Sequence, residues 1–331
     1  MKQITALVFL MFGLTLAVNF PANAKTELRY ANFFPPTHIQ SQLAESWCQE
    51  VEKRTNGEVS VKYFPAQALS KAPQTYDDVM NGIADIGMTA LAYSRGRFPV
   101  GQAIDLPMGY SSGIQATTVA NAVLNKFNPD EFKDTQIMFL HAHGPGLIHT
   151  TDKKVASMED IKGLKIRTTG ASSLVIKALG GSAVGKHMNE SYQLLQKGVV
   201  DGSLHPLESN KGWKLGEVVN YVTESYGVAY TTTFAVFMNK AKWDSLSPAN
   251  QKIIAQINME WAPKHGQAWD DSDKEGIAFF TSKGGEFVSL SESETLRWQE
   301  AMTPVINEYI EKASQAGIDG KAVVDFIRSS M

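Results

Sequence analysis

The 331-residue sequence has one cysteine, Cys48, which excludes an internal disulfide. A chain this long can bury enough apolar surface without one. Cys48 lies between Trp47 and Val51 in a helical pattern, the setting of a small buried thiol. A basic excess is also lacking: 31 Lys and Arg face 34 Asp and Glu, for a net charge of −3. That balance argues against a nucleic-acid partner, which calls for a basic face. The sequence holds no H-E-x-x-H, no C-x-x-C and no G-K-[ST], so the common zinc and phosphate-loop signatures are missing. Internal repeats, low-complexity tracts and long Gly/Ser linkers are absent too. No segment after residue 24 is long and apolar enough to span a membrane.

The start of the chain carries a different signal. Lys2 precedes an apolar stretch from Ile4 to Val18, and Ala22-Asn23-Ala24 follows with the small-x-small pattern of a signal-peptidase site. The stretch is short for a membrane helix, which needs about 20 apolar residues. Residues 1–24 are therefore expected to be a signal peptide cleaved after Ala24, with a periplasmic mature chain beginning at Lys25. No Cys follows the apolar run, which argues against a lipid-modified N-terminus. Residues 1–24 hold Lys2 and no acid, so the charge falls from −3 to −4 on cleavage.

Strand and helix signals alternate from there. Leu28 to Phe33 is a short apolar run, and Phe34-Pro35-Pro36 forces the chain to turn. Thr37 and Gln40 read as a capping box before Leu43, Trp47 and Val51 at helical spacing, and Gly57 ends that helix. Val59, Val61 and Tyr63 alternate as in a half-buried strand. Tyr76, Val79, Met80 and Ile83 return to helical spacing, and Ala84 to Thr89 is strand-like. Further strands are expected at Thr135–Leu140, Leu164–Thr168 and Phe234–Met238, with helices at Ser172–Leu179 and from about Ser191 to Lys197. Ser247 caps a long helix opening on Pro248, and Pro263 should kink or break it. Ser291 and Glu294 form another capping box before a largely helical C-terminal stretch. Such alternation implies an α/β fold with mostly parallel sheets. Two closely packed lobes, crossed more than once by the chain, fit better than two beads on a string.

Several motifs invite sharper readings. Gly109-Tyr110-Ser111-Ser112-Gly113 matches G-x-S-x-G, which would make Ser111 the nucleophile of a secreted hydrolase. Pro107 spoils the strand that such an elbow needs, so Ser111 or Ser112 is more simply a helix cap. His141, His143 and His149 lie close together, with the first and second on one strand face. No Asp, Glu or Cys falls among them, and no metal is expected. Gly180, Gly181 and Gly185 read as a turn. Arg167 ends the strand-like run Gly163-Leu164-Lys165-Ile166-Arg167. Ligands of open α/β sheets bind beyond the carboxyl ends of strands, and a guanidinium there matches a carboxylate in bidentate fashion. On position alone, a surface Arg paired with an acid is an equal reading.

At this point the chain resembles the DctP-type periplasmic substrate-binding proteins of tripartite ATP-independent periplasmic (TRAP) transporters. The resemblance rests on the run ending at Arg167, then Glu190-Ser191-Tyr192 leading to Gly198-Val199-Val200-Asp201-Gly202. Phe64-Pro65, the stretch from Gly82 to Gly87, and Asp105-Leu106-Pro107 support it. It implies two α/β lobes that close around an organic acid, joined by crossing strands and a long helix. Expected lobes are residues 25–144 plus about 233–272, and 145–232 plus about 273–331. It also implies Arg167 as carboxylate clamp, no catalysis, no cofactor, and delivery to a small and a large integral membrane subunit. A monomer is expected. The alternatives are a binding protein of an ATP-driven importer and the Ser111 hydrolase.

Departures from the family pattern refine the ligand. His205 stands where the family often has an Asn that touches the carboxylate, and an imidazole still donates one hydrogen bond. The second Arg of sugar-acid binders is missing from Gly144 to His149. Phe33, Phe34, Tyr93, Trp213, Tyr230 and Phe234 are expected to line the site, joined by Leu91, His143, Pro145 and Leu147. Aromatic rings give large contact areas at low entropic cost. The expected ligand is an apolar or aromatic monocarboxylate, in particular a 2-keto or 2-hydroxy acid.

Overall fold

Hydrophobic spacing that switches between two and about 3.6 residues sets the alternation of strands and helices in this chain. A computed structural model describes residues 25–331. The expected signal peptide, with its cleavage site after Ala24, lies outside the described residues. The chain opens with β1 (Thr26–Asn32), α1 (Ile39–Arg54), β2 (Val59–Phe64), α2 (Thr75–Met80) and β3 (Ile86–Ala90). There follow α3 (Pro99–Ala103), α4 (Gly113–Phe127) and β4 (Thr135–Ala142). A second run comprises β5 (Gly146–Thr150), α5 (Met158–Ile161), β6 (Lys165–Thr168), α6 (Ser172–Ala178), β7 (Ser182–Gly185), α7 (Ser191–Gln196), β8 (Gly202–Pro206), α8 (Ser209–Gly212) and β9 (Tyr221–Thr223). The rest is β10 (Thr233–Asn239), α9 (Lys240–Ser245), α10 (Pro248–Ser282), β11 (Glu286–Val288), α11 (Glu292–Gln315) and α12 (Gly320–Ser329).

The strands form two sheets, ordered β2-β1-β3-β10-β4 and β11-β9-β5-β8-β6-β7. In the first, β1 runs parallel to β2 and β3, while β10 is antiparallel to both β3 and β4. In the second, β6 is parallel to β7 and β8, and β5 is antiparallel to β8 and β9. Helices cover both sheets, giving a two-lobed α/β architecture. Among the described residues no helix is long and apolar enough to cross a membrane.

Two strand connections and one helix join the sheets. The chain leaves β4 through residues 143–145 and returns from Tyr230 into β10. These crossings are tied together: Gly146 N–H donates to the Tyr230 carbonyl at 2.8 Å, and Thr231 Oγ1 to the His143 carbonyl at 2.6 Å. A Cβ at Gly146 would lie 2.1 Å from the Tyr230 ring, so only glycine allows this approach. Helix α10 has 35 residues, about 52 Å at 1.5 Å per residue. Its first half packs on α1, where Trp47 Nε1 donates to Asn258 Oδ1 at 2.9 Å. Its second half carries Phe280 into the apolar cluster of Leu147, Leu207 and Leu215.

Several sequence expectations need correction. The cap of α1 is His38 rather than Thr37: its Nδ1 accepts the Gln40 N–H, while the Gln40 side chain is committed to His265 on α10. Ile83 lies beyond α2 and is exposed. Pro263 does not break α10. Both Pro263 and Met259, whose carbonyl loses its helical partner, lie on the exposed side of the helix, where solvent can reach that group. Ser291 caps α11, but Glu294 does not reach back to it. Its carboxylate instead accepts from Met158 N–H at 3.1 Å and Trp298 Nε1 at 3.2 Å.

Candidate functional site

Strand β6 lies between β7 and β8, with Arg167 in register with Val184 and Ser203. Arg167 thus stands at the carboxyl end of three parallel strands, and it is 2% exposed. Its Nε donates to the Lys186 carbonyl at 3.0 Å and its Nη1 to the Leu204 carbonyl at 3.3 Å. A guanidinium has five N–H donors, so these two bonds leave three, on Nη1 and Nη2. Among the described residues, no carboxylate lies within ion-pair distance of it. Burial lowers its pKa, opposed by Tyr93, Tyr230 and Glu190.

Arg167 faces a cavity of about 40 Å³ between the two sheets. Rings from both sides build its walls. Phe33 and Phe34, just past β1, stack at 4.4 Å, and Phe33 meets Tyr93 edge-on at 5.8 Å. Trp213 lies 5.8 Å from Phe34 and 6.4 Å from Phe33. Phe234, the second residue of β10, stacks on Trp269 of α10 at 5.4 Å. Tyr93 Oη accepts the Met188 N–H at 3.2 Å, which leaves its own proton for a group in the cavity.

The histidines are mostly buried structural groups. Trp269 Nε1 donates to His141 Nδ1 at 3.1 Å, and His265 stacks on His141 at 4.5 Å. His149 stacks on His205 at 3.6 Å and contacts the Asn210 amide through Nε2 at 3.3 Å. Among the described residues, no group of three or more His, Cys, Asp or Glu could hold a metal. His143 Nδ1 lies 2.6 Å from the Gly144 carbonyl. That carbonyl only accepts, so Nδ1 carries the proton and Nε2 presents a lone pair. His205 forms no hydrogen bond of normal geometry at either ring nitrogen, although the Asn210 side chain approaches it. Burial pushes the His205 pKa well down, helped by His149 and Arg167, and that of His143 to about 4.

Arg167, His205, Phe33, Phe34, Tyr93, His143, Trp213, Tyr230 and Phe234 all line this cavity. Leu91, Pro145 and Leu147 do not: Leu91 and Leu147 sit in apolar core clusters, and Pro145 is buried in the crossing strand. The lining also includes Glu208, Ser209, Thr169, Thr232, Met188 and Trp269, which the sequence reading did not name. Glu208 follows the His205-Pro206 stretch closely enough to have been flagged. Nothing in the sequence near Trp269 shows that α10 returns to this point.

The G-x-S-x-G run is a helix start. No strand precedes it, Ser112 caps α4 by accepting the Gln115 N–H, and Ser111 Oγ donates to Gln115 Oε1 at 2.9 Å.

Comparison with known proteins accords with this architecture. The family model for bacterial extracellular solute-binding protein, family 7 (DctP) matches residues 30–313. A marine-metagenome TRAP solute-binding protein specific for aromatic acid ligands, solved with metahydroxyphenylacetate, is 30% identical. The match covers 92% of this chain and 98% of that one, at a TM-score of 0.88. A TRAP periplasmic solute-binding protein of Bordetella bronchiseptica with bound (R)- and (S)-mandelate is also 30% identical, over 92% and 98% of the two chains, at a TM-score of 0.86. The C4-dicarboxylate-binding periplasmic protein DctP of Rhodobacter capsulatus is 28% identical, over 91% of each chain.

Proposed function

The chain belongs to bacterial extracellular solute-binding protein family 7, the DctP-type binding proteins of TRAP transporters, and we propose that it captures an aromatic or apolar monocarboxylate through Arg167. It is a transport protein for organic acids and not an enzyme. The observation that carries the proposal is a buried guanidinium with three donors to spare, set in a cavity walled by rings. A charge held out of water without an anion is costly, and a bound carboxylate supplies that anion in fork geometry.

The rest of the lining favours the same class. Tyr93 can donate to the second face of the carboxylate. The Nε2 lone pair of His143 suits a 2-hydroxyl better than a 2-keto oxygen, because it accepts a proton and offers none. Among the described residues, no Arg or Lys other than Arg167 lines the cavity, which disfavours a second carboxylate. Two relatives carry metahydroxyphenylacetate and mandelate, both aromatic monocarboxylic acids. A thermal-shift screen of organic acids tests the reading. Stabilisation by arylacetates, benzoates or mandelates is expected. Strong stabilisation by dicarboxylates or sugar acids alone would overturn it.

The loaded protein delivers its acid to the small and large integral subunits of a TRAP transporter, working as a monomer in the periplasm. The lobe boundaries near residues 144, 232 and 272 are part of the proposal, supported by the division of strands between the two sheets. Helix α12, which packs on α4 through Phe326 and Phe127, reaches back to the first lobe.

A further inference from the structure

Carboxylate capture leaves one buried acid in the cavity without a role. Glu208, two residues past β8, is 3% exposed and lines the same cavity as Arg167. The two are not paired with each other. Glu208 Oε1 accepts from Ser209 Oγ at 2.6 Å, and Oε2 accepts from His38 Nε2 at 3.0 Å. The tautomer of His38 follows from its neighbours: Nδ1 accepts the Gln40 N–H, so the ring proton sits on Nε2 and goes to Glu208. The imidazole is thereby a neutral donor. A carboxylate has about four lone-pair positions, and this pair of bonds fills only two of them.

The pair is held in place from behind. A Cβ on Gly212 would lie 2.5 Å from Glu208 Oε2 and 2.9 Å from His38 Nε2, so the α8 backbone closes over that side. His38 and Glu208 also border an outer cleft with Lys211 and Glu275, and so form the wall between cleft and cavity. A ladder of rings separates this acid from the cation. Tyr93, which shares the field of Arg167, meets Phe33 at 5.8 Å; Phe33 stacks on Phe34, and Phe34 on His38, each at 4.4 Å. The cavity thus holds a cation and an acid that are not paired with each other, and aromatic faces line the wall beside them.

We infer that Glu208, positioned by His38, is a second recognition point that selects aryl carboxylic acids bearing a ring hydroxyl at the end remote from the carboxylate. This rests on Arg167 being the carboxylate clamp. A phenolic proton would occupy a lone pair of Glu208. An unsubstituted ring would strip water from that oxygen and give nothing back, and sites built around such a bond discriminate strongly against the analogue lacking it. A second carboxylate at this end would be repelled.

The test is isothermal titration calorimetry on ligand-free protein with phenylacetate, 3-hydroxyphenylacetate, 4-hydroxyphenylacetate and 3-methoxyphenylacetate. A hydrogen bond to a charged group predicts that one hydroxy isomer binds at least about ten-fold tighter than phenylacetate and the methoxy compound. Glu208→Gln should shrink that ratio to about three-fold or less, and His38→Gln should shrink it as well. Four acids binding within about three-fold of one another, or a ratio unchanged in Glu208→Gln, overturns the inference while leaving the Arg167 reading in place. If none of the four binds, the ligand class itself is wrong and the inference falls with it. Should a variant not fold, the wild-type series decides alone, because the methoxy group keeps the bulk and removes the proton.

Discussion

Replacing Arg167 separates a binding role from a structural one, because the two have opposite consequences for the ligand-free protein. The guanidinium is 2% exposed, has no carboxylate partner among the described residues, and gives only two of its donors to backbone carbonyls. Holding an uncompensated charge out of water costs stability, and removing it returns some. Leu204 lines the cavity and Lys186 a neighbouring cleft, both within reach of water, so the loss of a partner at their carbonyls is softened. Arg167→Ala should therefore leave the melting temperature of the free protein within a few degrees of wild type, or raise it. Binding should respond very differently. Truncating one side of a buried charge-assisted pair costs about 2–5 kcal/mol, a rise in Kd of roughly 30- to 5,000-fold. Arg167→Lys keeps a charge but loses the planar fork and the Nε bond to Lys186, so Kd should still rise by at least about ten-fold. Calorimetry gives Kd, and differential scanning fluorimetry without ligand gives the melting temperature. A folded Arg167→Ala protein that binds within about three-fold of wild type refutes the clamp. A melting temperature that collapses in both variants would make Arg167 a structural residue.

Stability should peak near pH 6–7. Burial lowers the pKa of His141, His143, His149, His205 and His265, to about 4 for His143 and about 3 for His149 and His265. The unfolded chain takes up protons near pH 6.5 that the fold refuses, so stability is lost as pH falls below about 6.5. Burial raises Asp105 and Asp273 to about 8 and Glu131 to about 7. There the fold keeps protons that the unfolded chain releases near pH 4, so stability is lost as pH climbs from about 4 to 8. At about pH 6.5 roughly half of five histidine protons balance just under three carboxyl protons, and melting temperatures that rise or fall steadily from pH 5 to 8 would contradict this. Gly276→Ala places a Cβ 2.0 Å from the Leu207 carbonyl oxygen, where α10 crosses behind β8. The clash should cost about 1–3 kcal/mol, more than the ~1 kcal/mol that alanine returns in helix propensity, and denaturant titration should show a net loss. Ser111→Ala should change neither ligand affinity nor melting temperature by a measurable amount, since Ser111 is exposed and bonds only to Gln115.

Much of the fold was legible because local chemistry writes it. Ser112 and Ser247 act as caps where their sequences place them, Pro248 opens α10, and β6 forms where a strand at Leu164–Thr168 was expected, with Arg167 beside its carboxyl end. What failed depends on distant partners. The Gln40 side chain is drawn away by His265, 225 residues on, which leaves the capping to His38. Glu294 is drawn to Met158 and Trp298. The antiparallel entry of β10 between β3 and β4 has no signature in Thr233–Asn239, since a strand buried on both faces reads the same in either direction. Around the cavity, the expected residues that motifs or rings at strand ends point to are part of its lining. Leu91 and Leu147 lie in core clusters and outside the cavity lining, because an apolar side chain at a strand end can turn to core as readily as to cavity. Trp269 and the His38–Glu208 pair, 170 residues apart, exist only once α10 and α1 have packed.

The most direct test is a crystal structure with an arylacetate or mandelate bound. The carboxylate should lie against the Nη1 and Nη2 edge of Arg167, with Nε still on the Lys186 carbonyl, Tyr93 Oη within hydrogen-bond distance, and the ring between Phe33 and Trp213. A ligand whose carboxylate sits away from Arg167, or whose body lies outside the ring-walled cavity, would contradict the account at its centre.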